Sequence, residues 1–318
     1  MNTFKLSNKL ALSYYALLFF KYIAGNLMSK MIVENEFGHL KQVSLNEQVS
    51  VLEIKHKTCT AKISLYGGQV LAWQPQDQQS VLWLSDDAAF KEGTAIRGGI
   101  PLCWPWFGPY KAANGETAGN HGFARQKQWT LDEVNINQNN VCVTLLLKGE
   151  NEHPLWPHRY QLKQEFIFSE QFDQKLFISN LSSKAFEYSA ALHSYFTVSS
   201  PENTKISPLA ELVYDDKVTG KDQQRSTLNN CVGVIDRIYH SDKTCFIEDE
   251  KWQRTIKISS INCQQWVLWN PGIDIAQGMS DVHYGAENEF VCLEAANTDN
   301  QIVNVGETVM IGQQISLL

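Results

Sequence analysis

The chain has 318 residues, 43% of them hydrophobic and 19% charged, ordinary values for a soluble globular protein with ample apolar material for a core. Its formal net charge of -7, with no run of lysine and arginine, makes it a poor partner for nucleic acid, because phosphate neutralisation needs clustered cations. A small anionic substrate stays open if a few cations gather at one place.

The first thirty residues differ from the rest. Lys5 and Lys9 precede an apolar run from Leu10 to Phe20, which Lys21 interrupts. The run is shorter than the ~20 residues a membrane span needs. Two readings follow: an N-terminal extension covering residues 1–31, or a signal or anchor with Ala24-Gly25 as a weak cleavage site. The domain proper is expected over residues 32–318, with no stable membrane association.

From Val49 the pattern is that of short strands. Val49–Ile54 and Lys62–Leu65 alternate, and Tyr160, Leu162, Gln164, Phe166 and Phe168 share one face of a longer stretch. Similar runs occur at Val141–Leu147, Leu176–Ile178, Ser189–Val198, Ile256–Ser259, Gln265–Trp269, Glu289–Ala295 and Val309–Leu317. Gly, Asn, Asp and Pro clusters punctuate them. No linker splits the chain and no fixed-period repeat is present. The pattern predicts one all-β domain, a sandwich of antiparallel sheets. Seven cysteines, odd in number and widely spaced without a C-x-x-C pair, argue against a zinc site or a disulfide framework. They favour a reducing, cytoplasmic compartment.

One stretch breaks the strand pattern. Arg97–Arg125 reads RGGIPLCWPWFGPYKAANGETAGNHGFAR, and loops this long inside a compact domain are usually functional or disordered. Its aromatics argue against disorder. Arg97 beside Gly98-Gly99 offers a planar donor fork on backbone that can approach a ligand closely; the alternative is a tight turn with a solvated arginine. His121 and Arg125, four apart in HGFAR, can face one cavity, or His121 can pack on an aromatic.

Three later segments complete the candidates. In Ala191–Val198, period two puts Leu192, Phe196 and Val198 on one face and His193, Tyr195 and Thr197 on the other. His193 suits a pocket wall or a structural hydrogen bond. Glu294 lies in the apolar run Val291–Ala296, where a carboxylate must be paired, hydrogen-bonded or protonated; a raised pKa would make it a natural general base. Asp236 can accept from sugar hydroxyls or pair with Arg237, and Trp266 and Trp269 can stack on a sugar or pack.

RGGIP at Arg97–Pro101, PWFG at Pro105–Gly108, HGFAR at His121–Arg125, LHSYF at Leu192–Phe196, DRIY at Asp236–Tyr239 and LEAAN at Leu293–Asn297 occur in an order that resembles the hexose-6-phosphate mutarotases (glucose-6-phosphate 1-epimerases) of the aldose 1-epimerase superfamily. The resemblance runs from about residue 33 to the C-terminus. It implies a galactose-mutarotase-like β-supersandwich and interconversion of α and β anomers without a cofactor. The implied catalytic residues are His193 as acid and Glu294 as base. The implied substrate-binding residues are Arg97, Asn120, His121, Arg125 and Asp236. Asn120 stands where some relatives carry the longer Gln. The N-terminal extension has no counterpart in the pattern. The implied partner is a small sugar phosphate. An epimerase for unphosphorylated sugars, a glycosidase using Asp236 with Glu294, and a carbohydrate-binding sandwich without activity remain alternatives.

Overall fold

A computed structural model describes residues 28–112 and 115–318 of the chain. The apolar run Leu10–Phe20, and the choice between extension and signal or anchor, lie outside the described residues. Pairing begins with the strand Ser29–Asn35, three residues ahead of the domain start drawn at 32.

Three antiparallel sheets carry the fold. The first is a meander of five strands in chain order, Ser29–Asn35 to Gln69–Pro75. The second has eight strands, with Thr308–Leu317 and Gln171–Asn180 side by side at its centre. Strict alternation builds this sheet. In Arg159–Phe168 and Gln171–Asn180 every second residue is buried, and Tyr160, Leu162, Gln164, Phe166 and Phe168 all face inward as their spacing predicts. The third sheet, also of eight strands, has Phe290–Val303 at its centre, flanked by Gln265–Asn270 on one side and by Phe186–Leu192 and then Tyr195–Thr197 on the other.

The central strand explains where the site lies. Its first eight residues are all buried, so it is covered on both faces. Val291, Leu293 and Ala295 point into the main core shared by the three sheets. Phe290, Cys292 and Ala296 point the other way, into smaller clusters beneath a layer of loops. The neighbouring strand divides likewise, with Trp266 and Leu268 in the main core and Val267 and Trp269 on the loop side. Glu294 shares the loop-side parity of Cys292, so period two alone assigns it to the face that loops cover. All seven cysteines carry free thiols. Among the described residues no helix is long and apolar enough to cross a membrane.

Candidate active site

On the loop side of the third sheet lies a cavity of about 340 Å³ lined by Arg97, Asn120, His121, Arg125, His193, Asp236 and Glu294. All seven residues singled out in the sequence therefore meet at one place, although 197 positions separate the first from the last. Phe107, Val267, Trp269, Ile275 and Met279 complete the wall.

The sheet supplies three of the seven. Glu294 on Phe290–Val303 faces Val267 on Gln265–Asn270, and Trp269 in turn faces Asp236 on Ile235–Tyr239. Asp236 does not pair with its neighbour Arg237, whose guanidinium stacks over the Tyr214 ring 4.2 Å from its centroid. His193 sits where the chain leaves Phe186–Leu192 and has not yet entered Tyr195–Thr197; its amide donates to the Pro101 carbonyl at 3.0 Å.

The long loop supplies the rest, and its glycines are there for closeness. Gly98 and Gly99 have φ of 105° and 62°, and a Cβ on Gly99 would lie 2.1 Å from the Val70 carbonyl oxygen. The turn they make lets the Tyr195 amide donate to the Gly99 carbonyl at 2.9 Å and aims Arg97 across the pocket. Arg97 is not a solvated turn residue. Its Nε donates to Asp281 at 3.1 Å and its Nη1 to the Tyr195 hydroxyl at 2.9 Å. Gly122 plays the same part in HGFAR: its missing Cβ would meet the Trp104 carbonyl at 2.0 Å. Arg125 donates from Nη2 to the Asn120 carbonyl at 3.0 Å, while its Nε is buried and unpaired. Asn120 itself lies exposed at the rim.

The electrostatics follow from burial. The Nδ1 of His193 lies 3.3 Å from Oε1 of Glu294, whose side chain is 1% exposed. Burial pushes the Glu294 carboxyl well above the usual range, with Asp236 adding to the rise and Arg125 opposing it. Burial pushes His193 well below its usual value, with His121, Arg125 and Arg97 adding to the fall. The pair is thus driven toward neutral forms on both sides. His121 is lowered to about 3 by burial and by the two arginines, and its Nδ1 accepts from the Gly108 amide at 3.1 Å, which leaves the ring proton on Nε2. Burial raises Asp236.

Three buried polar atoms of this pocket have no hydrogen-bond partner in the protein: His193 Nδ1, Glu294 Oε2 and Arg125 Nε. Leaving such groups unpaired costs about 1–3 kcal/mol each. Three together in one cavity indicate a site whose hydrogen bonds a ligand completes. Two contributors were not singled out from sequence. Asp281, which holds Arg97, lies in a segment with no motif of its own, and period two sets Tyr195 on the polar face without showing a partner for it.

A sequence profile of the family described as aldose 1-epimerase matches residues 50–316. The chain belongs to that family: it is an isomerase that interconverts sugar anomers. Among its relatives, a protein of Escherichia coli (strain K12) named "Putative glucose-6-phosphate 1-epimerase" is 34% identical over 256 residues, 79% of this chain and 84% of that one. A Salmonella typhimurium protein of the same name is 33% identical over 254 residues, 78% and 83% of the two chains. A crystal structure from Salmonella typhimurium described as a "putative mutarotase" superposes with a TM-score of 0.80 at 29% identity, covering 94% of this chain and 99% of that one. A galactose mutarotase related enzyme from Lactobacillus acidophilus, at 13% identity and a TM-score of 0.65 over 84% and 96% of the two chains, shares the fold.

The raised carboxyl has a consequence for stability. A group whose pKa is higher folded than unfolded favours folding at pH below its unfolded value, near 4.5 for Glu294, and loses that contribution as pH rises toward the folded value. Glu294→Gln removes the ionisation. Its melting temperature relative to wild type is expected to climb as pH is raised from 4 to 8. A difference that stays constant over that interval, measured by calorimetry, would show that Glu294 ionises as freely folded as unfolded.

Proposed function

We propose that this chain interconverts the α and β anomers of a hexose 6-phosphate, glucose 6-phosphate above all, by acid–base ring opening and closure, and does so in the cytoplasm. The observation that carries the reading is the buried His193–Glu294 pair, 3.3 Å apart, set in one cavity with two arginines.

The chemistry balances on one proton. Glu294 takes the proton of the anomeric hydroxyl, the electron pair forms the C1=O1 carbonyl, and the bond from C1 to the ring oxygen breaks. His193 delivers a proton to that oxygen. Rotation about C1–C2 presents the other carbonyl face, and the same steps in reverse close the ring. The roles exchange on closure, so the pair ends with the proton count it began with. Carboxylate with imidazolium, or carboxylic acid with neutral imidazole, holds the same single proton. Burial favours the second arrangement at rest, so the ring opening written above starts once the proton passes from Glu294 to His193, and the closing steps return it. Asp236, Asn120 and the Nε2–H of His121 are placed to bind sugar hydroxyls, and Trp269 offers an aromatic wall.

The arginines carry the phosphate. Arg97 is already turned by Asp281 and Tyr195, so little of its side-chain freedom remains to be lost on binding. Arg125 brings a buried Nε with no partner in the protein. A neutral sugar has no need of two cations, whereas a phosphate dianion accepts their directional forks.

Two predictions follow from these assignments. Glu294→Gln and His193→Asn each lower kcat by at least ~100-fold, the low end for losing a general acid or base, with kcat in the wild type bell-shaped in pH because both the empty and the doubly protonated pair are inactive. Near-normal turnover in either variant, read by polarimetry, removes that residue from the reaction. For Arg97→Ala and Arg125→Ala, kcat/KM for glucose 6-phosphate falls by about 2 kcal/mol in transition-state terms while any activity on free glucose changes little. Equal losses on the two sugars would mean that the arginines hold the loop and do not read the phosphate.

A further inference from the structure

Four glutamines in the interior have no place in the reaction. Gln69, Gln164, Gln174 and Gln313 are each 0% exposed. Gln164 lies between Leu162 and Phe166 on its face, Gln174 between Phe172 and Leu176, and Gln313 between Ile311 and Ile315. An apolar residue would fill each position without desolvating an amide, which is costly unless every polar atom finds a partner. Gln164, Gln174 and Gln313 partner one another, and Gln69 bonds to backbone carbonyls. The amide of Gln164 donates to the Gly68 carbonyl at 2.8 Å, Gln174 donates to Gln164 at 2.8 Å, and Gln313 donates to Gln174 at 3.0 Å. Beyond Gln313 the chain reaches the fully buried Ser194, whose hydroxyl lies 2.9 Å from its Nε2 and 3.1 Å from its Oε1. At the other end, next to Gly68, Gln69 donates to the Gly98 carbonyl at 2.6 Å and to Ile96 at 3.2 Å.

Both ends fall where regular pairing stops and the site begins. Gly98 follows Arg97. Ser194 sits between His193 and Tyr195 in the break between two strands, and its carbonyl accepts from the amide of Leu293, the residue before Glu294. We propose that this line of amides is a positioning device: it fixes the His193–Tyr195 corner, through Gln313 and Ser194, and the Arg97 turn, through Gln69, against one rigid sheet, so that acid, base and cation keep their mutual geometry. From Gln164 through Gln174 and Gln313 to Ser194 every side-chain polar atom has a partner, whereas Gln69 Oε1 has none; a satisfied buried run is stiff where an apolar core allows sliding. Gln313 is then a positioning residue for His193, acting through Ser194. The inference rests on the acid–base reading of His193 given above.

The test uses three variants of the full chain. Gln313→Met keeps length and approximate volume and loses the hydrogen bonds to Gln174 and Ser194. Its kcat for glucose 6-phosphate is expected to fall about tenfold with KM within twofold, because a misplacement well under 1 Å costs turnover before binding. Ile315→Val, two residues along the same face, is the control: it lowers stability and leaves kcat unchanged. Gln313→Glu presents an O–H donor and a carbonyl acceptor while protonated, so the ratio of its kcat to that of wild type is expected near one at pH 5 and to fall as pH rises, an added loss on top of the wild-type bell. A Gln313→Met enzyme that melts earlier and turns over normally, or a Gln313→Glu profile parallel to wild type, overturns the proposal. The side-chain nitrogen NMR signals of His193 provide a readout independent of turnover. They should shift in Gln313→Met and not in Ile315→Val, and unmoved signals overturn the positioning role. A wild type that turns over no sugar, with His193 signals that still move, would fault the acid–base reading and leave the positioning device standing.

Discussion

The structure is organised around a carboxylate held on a strand that is buried on both faces. Moving an ionised carboxylate out of water costs several kcal/mol even after the protein relaxes. Glu294 is 1% exposed, and among the described residues its one ion-pair partner is His193, itself forced toward neutrality by the same burial. Neither group is comfortable charged, and neither has its hydrogen bonds complete. The fold tolerates this because the central strand is pinned by ladders on both sides and by two separate hydrophobic clusters above and below it. The cost shows as two buried groups on the cavity wall, both driven toward neutral forms and both with a side-chain atom left unpartnered.

The two cations illustrate the difference between being present and being aimed. Arg97 is oriented by a carboxylate and a phenol, and the fork it presents is fixed before any ligand arrives. Arg125 is tied through one nitrogen to a backbone carbonyl, with another nitrogen left over. Burial first, and then the two arginines, lower the proton affinity of both histidines, which keeps His121 neutral, a hydrogen-bond donor and not a third charge. One loop thus carries both cations and shifts the proton affinities of the buried groups they face.

Much of this was legible in the sequence for reasons that can be named. Period two exposed the sheets, and it placed Gln164 among apolar residues on an inward face, where it is found. Glu294 stood out because a carboxylate in an apolar run demands an explanation. The paired glycines of Arg97–Gly99 pointed to close backbone approach, which the short distance to Val70 accounts for. What stayed hidden depends on contacts between distant segments. Asp281 is an ordinary aspartate until the fold sets it beside Arg97, 184 positions away. The glutamine line joins residues from four strands and a break, and no local pattern marks Gln313 as the neighbour of Ser194.

The assignment of this pocket turns on whether it opens and closes the ring of a phosphorylated sugar. Exchange NMR on glucose 6-phosphate at anomeric equilibrium reads this without a coupling enzyme. Catalytic amounts of the wild-type chain should produce strong exchange cross-peaks between the α and β C1 protons, with far weaker ones for free glucose at equal concentration. Exchange no faster than in buffer for glucose 6-phosphate, or faster for glucose than for its phosphate, would contradict it.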